Sequence, residues 1–184
     1  MAATRTSSML RAVRPAALLV IIALALLGTA QSATAALPPL SARSYIVLQP
    51  DTGDVVAARN PSGERSIAST TKMMTALLSI EHARPSDVFR VASYNISPGE
   101  STAGLRAGEK MRVADLLRAL MLPSANEAAV TLAIGVAGSQ ARFVRMMNQR
   151  ARQLGLRHTH YGNPIGLDIG SNHSSARDLA KLAQ

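Results

Sequence analysis

Residues 68–75 read Ala-Ser-Thr-Thr-Lys-Met-Met-Thr, and at this stretch a pattern typical of strands gives way to a helical hydrophobic period. A helix places residues i and i+3 on one face, so the Lys72 amine can lie beside the Ser69 hydroxyl. Serine is a weak nucleophile until a base takes its proton, and lysine can be that base where its surroundings lower its pKa. The spacing therefore predicts a serine nucleophile and a lysine base on one helical turn. In the alternative interpretation Ser69 is a helix N-cap and Lys72 a solvated side chain, since a bare S-x-x-K also arises by chance.

The composition excludes several kinds of function for the chain that carries this pair. The chain has 184 residues, 47% of them hydrophobic, so it can bury a core, and its length is typical of one domain. It has no Cys, which excludes disulfides, thiolate zinc ligands and a thiol nucleophile. Aromatic residues make up 3% of the chain, which argues against a stacking platform for single-stranded nucleic acid. Only Lys72 among the lysines follows a serine by three positions.

Strand patterns precede residue 68. Residues 44–48 and 55–58 are largely apolar with β-branched residues, and turn residues at 50–54 separate them, which predicts a β-hairpin. Two strands alone do not make a stable sheet. The hairpin is therefore expected either to lie on a helical body or to pair with strands beyond residue 184.

Helical patterns follow residue 68. Residues 69–84 predict a first helix, and a strong amphipathic stripe at 113–121 predicts a second. An Ala-rich run at 127–136 predicts a buried third helix, residues 143–154 predict a fourth with a solvated arginine face, and residues 175–184 begin a fifth. The residues expected on the buried face of the first helix are Met73, Ala76, Leu77 and Ile80.

A second group of polar residues stands between two of these helices. Residues 124–126 read Ser-Ala-Asn, follow a proline and precede the Ala-rich helix. In the functional interpretation, Ser124 relays protons between Lys72 and a leaving amine, and Asn126 holds a substrate amide. In the structural interpretation, Ser124 and Glu127 form an S-x-x-E capping box at the start of the helix.

The N-terminus has the layout of a secretory signal. Three arginines among the first 14 residues form a positive segment, an unbroken apolar run spans residues 16–27, and residues 33–35 read Ala-Thr-Ala, an A-x-A cleavage pattern. The run is shorter than the roughly 20 residues that a membrane span needs. We predict a signal peptide at residues 1–35 and an exported domain at 36–184, located in the periplasm, in the cell envelope or outside the cell. An uncleaved signal anchor is the alternative.

The histidines do not predict a competing site. His158 and His160 could bind a metal, but no third ligand lies within local reach in the sequence, so no metal is predicted. His82 stands at a predicted helix end, and His173 stands in a loop rich in Gly, Asn and Ser. No His-Asp-Ser order suggests a catalytic triad.

The motifs, taken in order, are similar to those of a known family. Serine enzymes of the penicillin-binding and β-lactamase superfamily use S-x-x-K, then S-x-N, then K-T-G. The wider context resembles the D-alanyl-D-alanine carboxypeptidases, the low-molecular-mass penicillin-binding proteins. The resemblance implies an α/β (α+β) fold of the β-lactamase/transpeptidase type, made here of the N-terminal hairpin of the sheet and the helical subdomain, with the C-terminal strands missing. The similar stretches are residues 44–48, 51–53, 68–75, 115–126, 163–167 and 173–180.

The resemblance also implies roles for individual residues. Ser69 attacks the carbonyl between the two terminal D-alanines of a peptidoglycan stem peptide and forms an acyl-enzyme, while Lys72 accepts its proton. Ser124 passes the proton to the departing D-alanine, and Asn126 hydrogen-bonds the substrate backbone. β-Lactam antibiotics mimic the substrate and would acylate Ser69. The implied reaction needs no cofactor, metal or nucleic acid.

One motif of the family is absent from the 184 residues. No lysine is followed by Thr-Gly or Ser-Gly, so there is no K-T-G. In the family this motif supplies the substrate-carboxylate anchor and the second oxyanion N–H. We therefore expect an incomplete chain, from a partial gene, a frameshifted relic or a split half, that is weakly active or inactive.

Two other interpretations remain. The chain could be a non-catalytic relic or wall-binding fragment of the same fold. It could also be a class A β-lactamase, which needs a carboxylate some tens of residues after S-x-N. The sequence argues against the β-lactamase, because it has no acid between Glu127 and Asp168 and has Ala125 where that class has Asp.

Overall fold

The structure, a computed structural model, describes residues 40–167 and 172–184, so the predicted signal peptide at 1–35 lies outside the described residues. The described residues form short strands, one 3-10 turn at Ala68–Thr71 and five α-helices. The strands are β1 (Tyr45–Leu48), β2 (Val55–Arg59), β3 (Arg65–Ser66), β4 (Val88–Arg90), β5 (Lys110–Arg112) and β6 (His173–Ser174). The helices are α1 (Lys72–His82), α2 (Val113–Met121), α3 (Asn126–Ala137), α4 (Gln140–Gln153) and α5 (Ala176–Leu182).

The predicted hairpin is present as β1 and β2. The two strands pair antiparallel, with a register shift between Val47 and Leu48, and the Gln49 N–H donates to the Asp54 carbonyl (2.8 Å) to close the turn. Strand β1 contacts α5, so the hairpin lies on the helical body. The other strand pairs, β3 with β6 and β4 with β5, are also antiparallel.

Helix α3 is buried along most of its length, as its Ala-rich sequence predicts. Nine of its 12 residues are buried, and it contacts α1, α2, α4 and β4. Gly135 permits the close approach to β4, because a Cβ there would lie 2.2 Å from the Phe89 ring. In the part of the chain that the structure describes, no helix is long and apolar enough to cross a membrane.

Two hydrophobic clusters share α3 and meet at one loop. The first joins α1, α4 and Tyr161, and the second joins α2, α3 and Ile165. Burying a large apolar side chain stabilises a fold by roughly 1.5–3 kcal/mol. The segment from Tyr161 to Ile165 is therefore anchored in both clusters, and it is this segment that reaches the candidate site. Fully buried members of the clusters are Met74, Val113, Leu116, Leu132, Phe143 and Met147.

The buried face of α1 differs from the predicted one. The predicted apolar residues are half-buried at most, and Ile80 is 64% exposed. The hydrophobic pattern predicted the wrong face, because this helix buries polar side chains such as Lys72 and Thr75 that find hydrogen-bond partners elsewhere in the fold. The residues buried on α1 are Lys72, Met74, Thr75, Leu78 and Ser79.

Candidate active site

Ser69 lies in the 3-10 turn that leads into α1. The Thr70 N–H donates to the Ile67 carbonyl (3.1 Å), and Ala68 adopts φ 44°, a conformation that few non-glycine residues take. Ser69 is exposed, and no side chain among the described residues caps the turn or the helix after it. The N-cap interpretation of Ser69 is therefore wrong, and the hydroxyl is open to a ligand.

Lys72 is buried, with 3% of its surface exposed. The alternative interpretation, in which Lys72 is solvated, is therefore wrong. Its Nζ lies 3.3 Å from Ser69 Oγ, and it donates to Asn126 Oδ1 (2.8 Å) and to the Ile165 carbonyl (3.0 Å). A neutral amine has two N–H donors and one lone pair. Because the two acceptors use both donors, the lone pair is left for the Ser69 hydroxyl.

The surroundings favour the neutral form of this amine. Burial lowers the pKa of Lys72 from 10.5 to about 8, although the negative charges of Glu100 and Glu127 act in the opposite direction. With a pKa of about 8, about one-tenth of the amines are neutral at pH 7. A lysine with such a pKa can act as a base near neutral pH.

The structure brings Asn126 to this pair, whereas Ser124 makes no side-chain hydrogen bond within the described residues. Asn126 is the first residue of α3, and its amide oxygen faces Lys72. Ser124 has φ 60°, and its buried Oγ has no hydrogen-bond partner among the described residues. The capping-box interpretation is wrong, because Ala125 precedes the helix and the Glu127 carboxylate binds the Thr102 hydroxyl (2.7 Å) instead. Non-glycine residues with such a positive φ cluster at functional sites.

The loop at residues 163–167 supplies the carbonyl that Lys72 binds. Asn163 Oδ1 accepts hydrogen bonds from the N–H groups of Ile165 (3.2 Å) and Gly166 (2.7 Å), which fixes the local turn. Thr75 of α1 donates to the Pro164 carbonyl (2.8 Å). The side chains of α1 and the loop thus hold each other, although sequence analysis had assigned the loop no role in the site.

Gly166 presses this loop against the turn that carries Ser69. Its φ is 90°, and a Cβ at this position would lie 1.9 Å from the Ala68 carbonyl oxygen and 3.1 Å from the Ser69 nitrogen. No other residue fits such a contact without moving the backbone. The position of Ser69 therefore depends on a glycine about a hundred residues later in the chain.

Two acidic residues that sequence analysis did not assign to the site also reach it. Glu100 accepts hydrogen bonds from the Tyr94 hydroxyl and from Asn126 Nδ2 (2.9 Å for the amide). Glu127 Oε1 accepts from the Thr102 hydroxyl and the Ala103 N–H, both at 2.7 Å. Burial raises the pKa of Glu127, but these hydrogen bonds outweigh burial and hold the pKa below its usual range. Because these contacts join distant parts of the chain, no local sequence signal marks them.

The histidines form a small group with one acid. His158 Nδ1 lies 3.6 Å from Glu64 Oε1, and His173 Nε2 lies 3.9 Å from Glu64 Oε2. The ring of His160 stacks on that of His173, with centroids 5.8 Å apart. Within residues 40–167 and 172–184, no group of three or more His, Asp or Glu side chains is arranged to hold a metal ion.

The sequence and the fold both match proteins of known class. A family profile described as D-alanyl-D-alanine carboxypeptidase matches residues 30–184. The chain belongs to the D-alanyl-D-alanine carboxypeptidase family. It is 36% identical over 148 residues to D-alanyl-D-alanine carboxypeptidase DacF of Bacillus subtilis and 38% identical over 158 residues to DacD of Escherichia coli. The family predicted from the motifs is confirmed.

The matches cover most of this chain and less of its carboxypeptidase relatives. The two alignments cover 78% and 80% of this chain but 38% and 41% of the relatives, so the chain spans about two fifths of their length. Penicillin-binding protein 6B of Escherichia coli superposes with a TM-score of 0.75 at 34% identity, over 83% of this chain and 51% of that one. A D-alanyl-D-alanine carboxypeptidase of Mycobacterium tuberculosis superposes with a TM-score of 0.74 at 32% identity, over 83% of this chain and 58% of that one. The predicted transpeptidase-like fold is confirmed.

Proposed function

We propose that this chain carries the acylating residues of a serine D-alanyl-D-alanine carboxypeptidase, with Ser69 as the nucleophile and Lys72 as the proton acceptor. The observation that carries the proposal is the buried Lys72 Nζ at 3.3 Å from Ser69 Oγ, held there by hydrogen bonds to Asn126 Oδ1 and the Ile165 carbonyl. Membership of the carboxypeptidase family supports the substrate class, a peptidoglycan stem peptide that ends in D-Ala-D-Ala.

In the proposed acylation, Ser69 Oγ attacks the carbonyl carbon of the last peptide bond while its proton passes to Lys72 Nζ. The C–N bond then breaks, the nitrogen of the terminal D-alanine takes up a proton, and an ester to Ser69 remains. Hydrolysis of the ester returns the serine and releases the shortened peptide. Splitting one difficult step into two easier ones is the general advantage of a covalent intermediate.

Two further residues complete the proposal. Ser124, whose buried hydroxyl has no partner among the described residues, would pass the proton from Lys72 to the leaving amine. Asn126 Nδ2 would keep one N–H on Glu100 and donate the other to the substrate backbone. β-Lactams, which place a reactive amide in the same position, would acylate Ser69 and leave their ring nitrogen protonated and still attached.

Export is also part of the proposal. It rests on the positive, apolar and A-x-A layout of residues 1–35. N-terminal sequencing of the protein from an exporting host is expected to start at Ala36 or within a few residues. An intact Met1 on protein recovered from the cytoplasm would contradict it.

Covalent labelling tests the catalytic proposal on the whole 184-residue chain. Because the sequence contains no K-T-G, we expect slow labelling and use long incubation with a fluorescent penicillin, followed by mass spectrometry of the adduct. The expected result is an added mass equal to the intact penicillin, located on Ser69 and lost in Ser69→Ala. Ser86→Ala, which removes an exposed hydroxyl of the same size outside the site, serves as the matched control.

The outcome also decides between the enzyme and the non-catalytic fragment. An adduct on Ser69 that requires Lys72 supports an acylating site. A folded chain that takes up no label at any pH between 6 and 10 would contradict the proposal and favour the relic or wall-binding interpretation. Rapid release of opened penicillin would favour a β-lactamase.

A further inference from the structure

A hydrogen-bonded chain of side chains leads from an exposed segment to the candidate base. The Tyr94 hydroxyl donates to Glu100 Oε2, and Asn126 Nδ2 donates to the same oxygen at 2.9 Å. At its other end, Asn126 Oδ1 accepts from Lys72 Nζ at 2.8 Å. Among the described residues Glu100 makes no hydrogen bond to Ser69 or Lys72, so the effect of its hydrogen bonds on the reaction passes through Asn126.

We propose that Glu100 is a positioning residue, whose carboxylate, held by Tyr94, fixes the Asn126 amide so that its oxygen faces Lys72 and keeps the amine beside Ser69. The proposal rests on the proposed function of Ser69 and Lys72. An asparagine amide has a donor end and an acceptor end of nearly equal size, and only its hydrogen-bond partners decide which way it points. An ionised carboxylate accepts but does not donate, so it selects the Nδ2 end.

The backbone around Glu100 is held in register with α3, so the carboxylate is placed accurately. The Asn126 N–H donates to the Ser101 carbonyl (2.9 Å), directly beside Glu100 in the chain. Glu127, the next residue of α3, accepts hydrogen bonds from the Thr102 hydroxyl and the Ala103 N–H. Both ends of the contact therefore belong to one local framework that joins residues 100–103 to the start of α3.

The charge of Glu100 and its hydrogen bond have separable effects. Two charged groups face Lys72, Glu100 from the segment between β4 and β5 and Glu127 from α3, and both raise the pKa of Lys72. Removing the charge of Glu100 lowers the pKa of Lys72 further and shifts the pH profile of labelling to lower pH. Loss of the hydrogen bond lets the Asn126 amide turn, which lowers the labelling rate even when Lys72 is fully neutral.

Three variants of the whole chain separate these effects. Glu100→Gln removes the charge but keeps an oxygen that can accept from both Tyr94 and Asn126, whereas Glu100→Ala removes charge and acceptor together. Glu109→Gln removes the same charge from an exposed residue after the same segment and serves as the matched control. Among the described residues, the Glu109 side chain accepts a hydrogen bond from the Arg106 N–H alone. The measured quantity is the labelling rate of Ser69 by penicillin from pH 6 to pH 10.

The expected results differ in kind. Glu100→Gln shifts the midpoint of the profile to lower pH and keeps the plateau rate at high pH. Glu100→Ala shows the same shift and loses about tenfold of the plateau rate, the size expected for one lost hydrogen bond. Glu109→Gln changes neither quantity. A Glu100→Ala variant with an unchanged plateau would overturn the positioning role and leave Glu100 a purely electrostatic influence.

A second measurement keeps the test decisive if the chain takes up no label. Because the chain has only three lysines, nuclear magnetic resonance of lysine labelled at Cε and Nζ resolves Lys72, with Lys110 and Lys181 as internal references. The side-chain amide of Asn126 is followed in the same samples by hydrogen exchange. The proposal requires faster exchange of this amide in Glu100→Ala and not in Glu100→Gln or Glu109→Gln. Unchanged exchange in Glu100→Ala would refute it, whereas absent labelling with the expected exchange would refute only the proposed function.

Discussion

Helices α1 and α4 are both half-buried, but they bury opposite chemistry. The buried side chains of α4 are Phe143, Met147 and Ala151, which follow its apolar stripe. Helix α1 buries Lys72, Thr75 and Ser79 beside its apolar residues, and the polar groups are hydrogen-bonded. A buried polar group costs stability unless it is paired, so a helix that buries several has been shaped by something other than packing. The inner face of α4 serves stability, whereas the inner face of α1 holds the loop and the base of the proposed active site.

The largest expected effect is that of removing the buried amine. Lys72→Ala is expected to reduce penicillin labelling of Ser69 by more than about 10³-fold, because an activated serine needs its base. Lys72→Arg should fail equally, since a guanidinium is not deprotonated in proteins. Lys110→Ala, in the exposed strand β5, is the control and should label like the parent chain. Full labelling in either Lys72 variant would show that α1 does not carry the base, and α1 would then not differ from α4 in function.

Truncation of the α4 core should affect stability and not chemistry. Phe143 is fully buried, and Phe143→Ala is expected to lower the free energy of unfolding by about 3–5 kcal/mol, measured by urea denaturation. The labelling rate per folded molecule should stay the same. A large loss of that rate at full folding would place α4 in the active site and contradict the comparison.

The contact between the loop and the nucleophile turn predicts an effect at Gly166. Gly166→Ala forces a Cβ to within 1.9 Å of the Ala68 carbonyl at φ 90°, and such backbone strain costs about 1–3 kcal/mol before the clash is relieved. We expect Gly166→Ala to lower the melting temperature and to reduce the labelling rate more than the control substitution does. Gly104→Ala is the matched control, because Gly104 also has positive φ (72°) but nothing within 4 Å of a Cβ. Equal effects of the two substitutions on labelling would show that the contact does not matter.

Two buried threonines, Thr71 just before α1 and Thr75 within it, allow a smaller test. Thr75→Val removes the donor to the Pro164 carbonyl and is expected to cost about 1–3 kcal/mol of unfolding free energy, because a buried carbonyl loses its partner. Thr71 is also fully buried, but its Oγ1 has no hydrogen-bond partner among the described residues. Thr71→Val should therefore be neutral or stabilising. If calorimetry shows the same loss of stability in both variants, the hydrogen bond from Thr75 to the loop does not contribute to stability.

The smallest effect is that of pH on the parent chain. Burial lowers the pKa of Lys72 to about 8, so the neutral amine increases as the pH rises through that value. The labelling rate is expected to rise about tenfold from pH 7 to its plateau. A rate that is flat, or that falls between pH 7 and 9, would show that a neutral Lys72 is not the base.

Much of the fold could be predicted because its signals are local. The hairpin, the amphipathic α2 and the apolar stripe of α4 follow from residue patterns within short windows. The inner face of α1 could not be predicted from its pattern, because Lys72 and Thr75 find their partners about 50 to 90 residues away. The predicted capping box at Ser124 was wrong for the same reason, because the Glu127 carboxylate binds the hydroxyl of Thr102, 25 residues away in the chain.

The sequence by itself determined the family, the order of the motifs and the two residues Ser69 and Lys72 as a pair, because a spacing of three on a helix fixes their proximity. Only the tertiary structure decided that Lys72 is buried, that it donates to Asn126 and the Ile165 carbonyl, and that Glu100 accepts a hydrogen bond from the amide of Asn126. The physical reason is that desolvation and hydrogen-bond partners are set by which distant segments the packed core brings together. The residue types of a catalytic site can be recognised in a sequence, whereas their protonation depends on the fold.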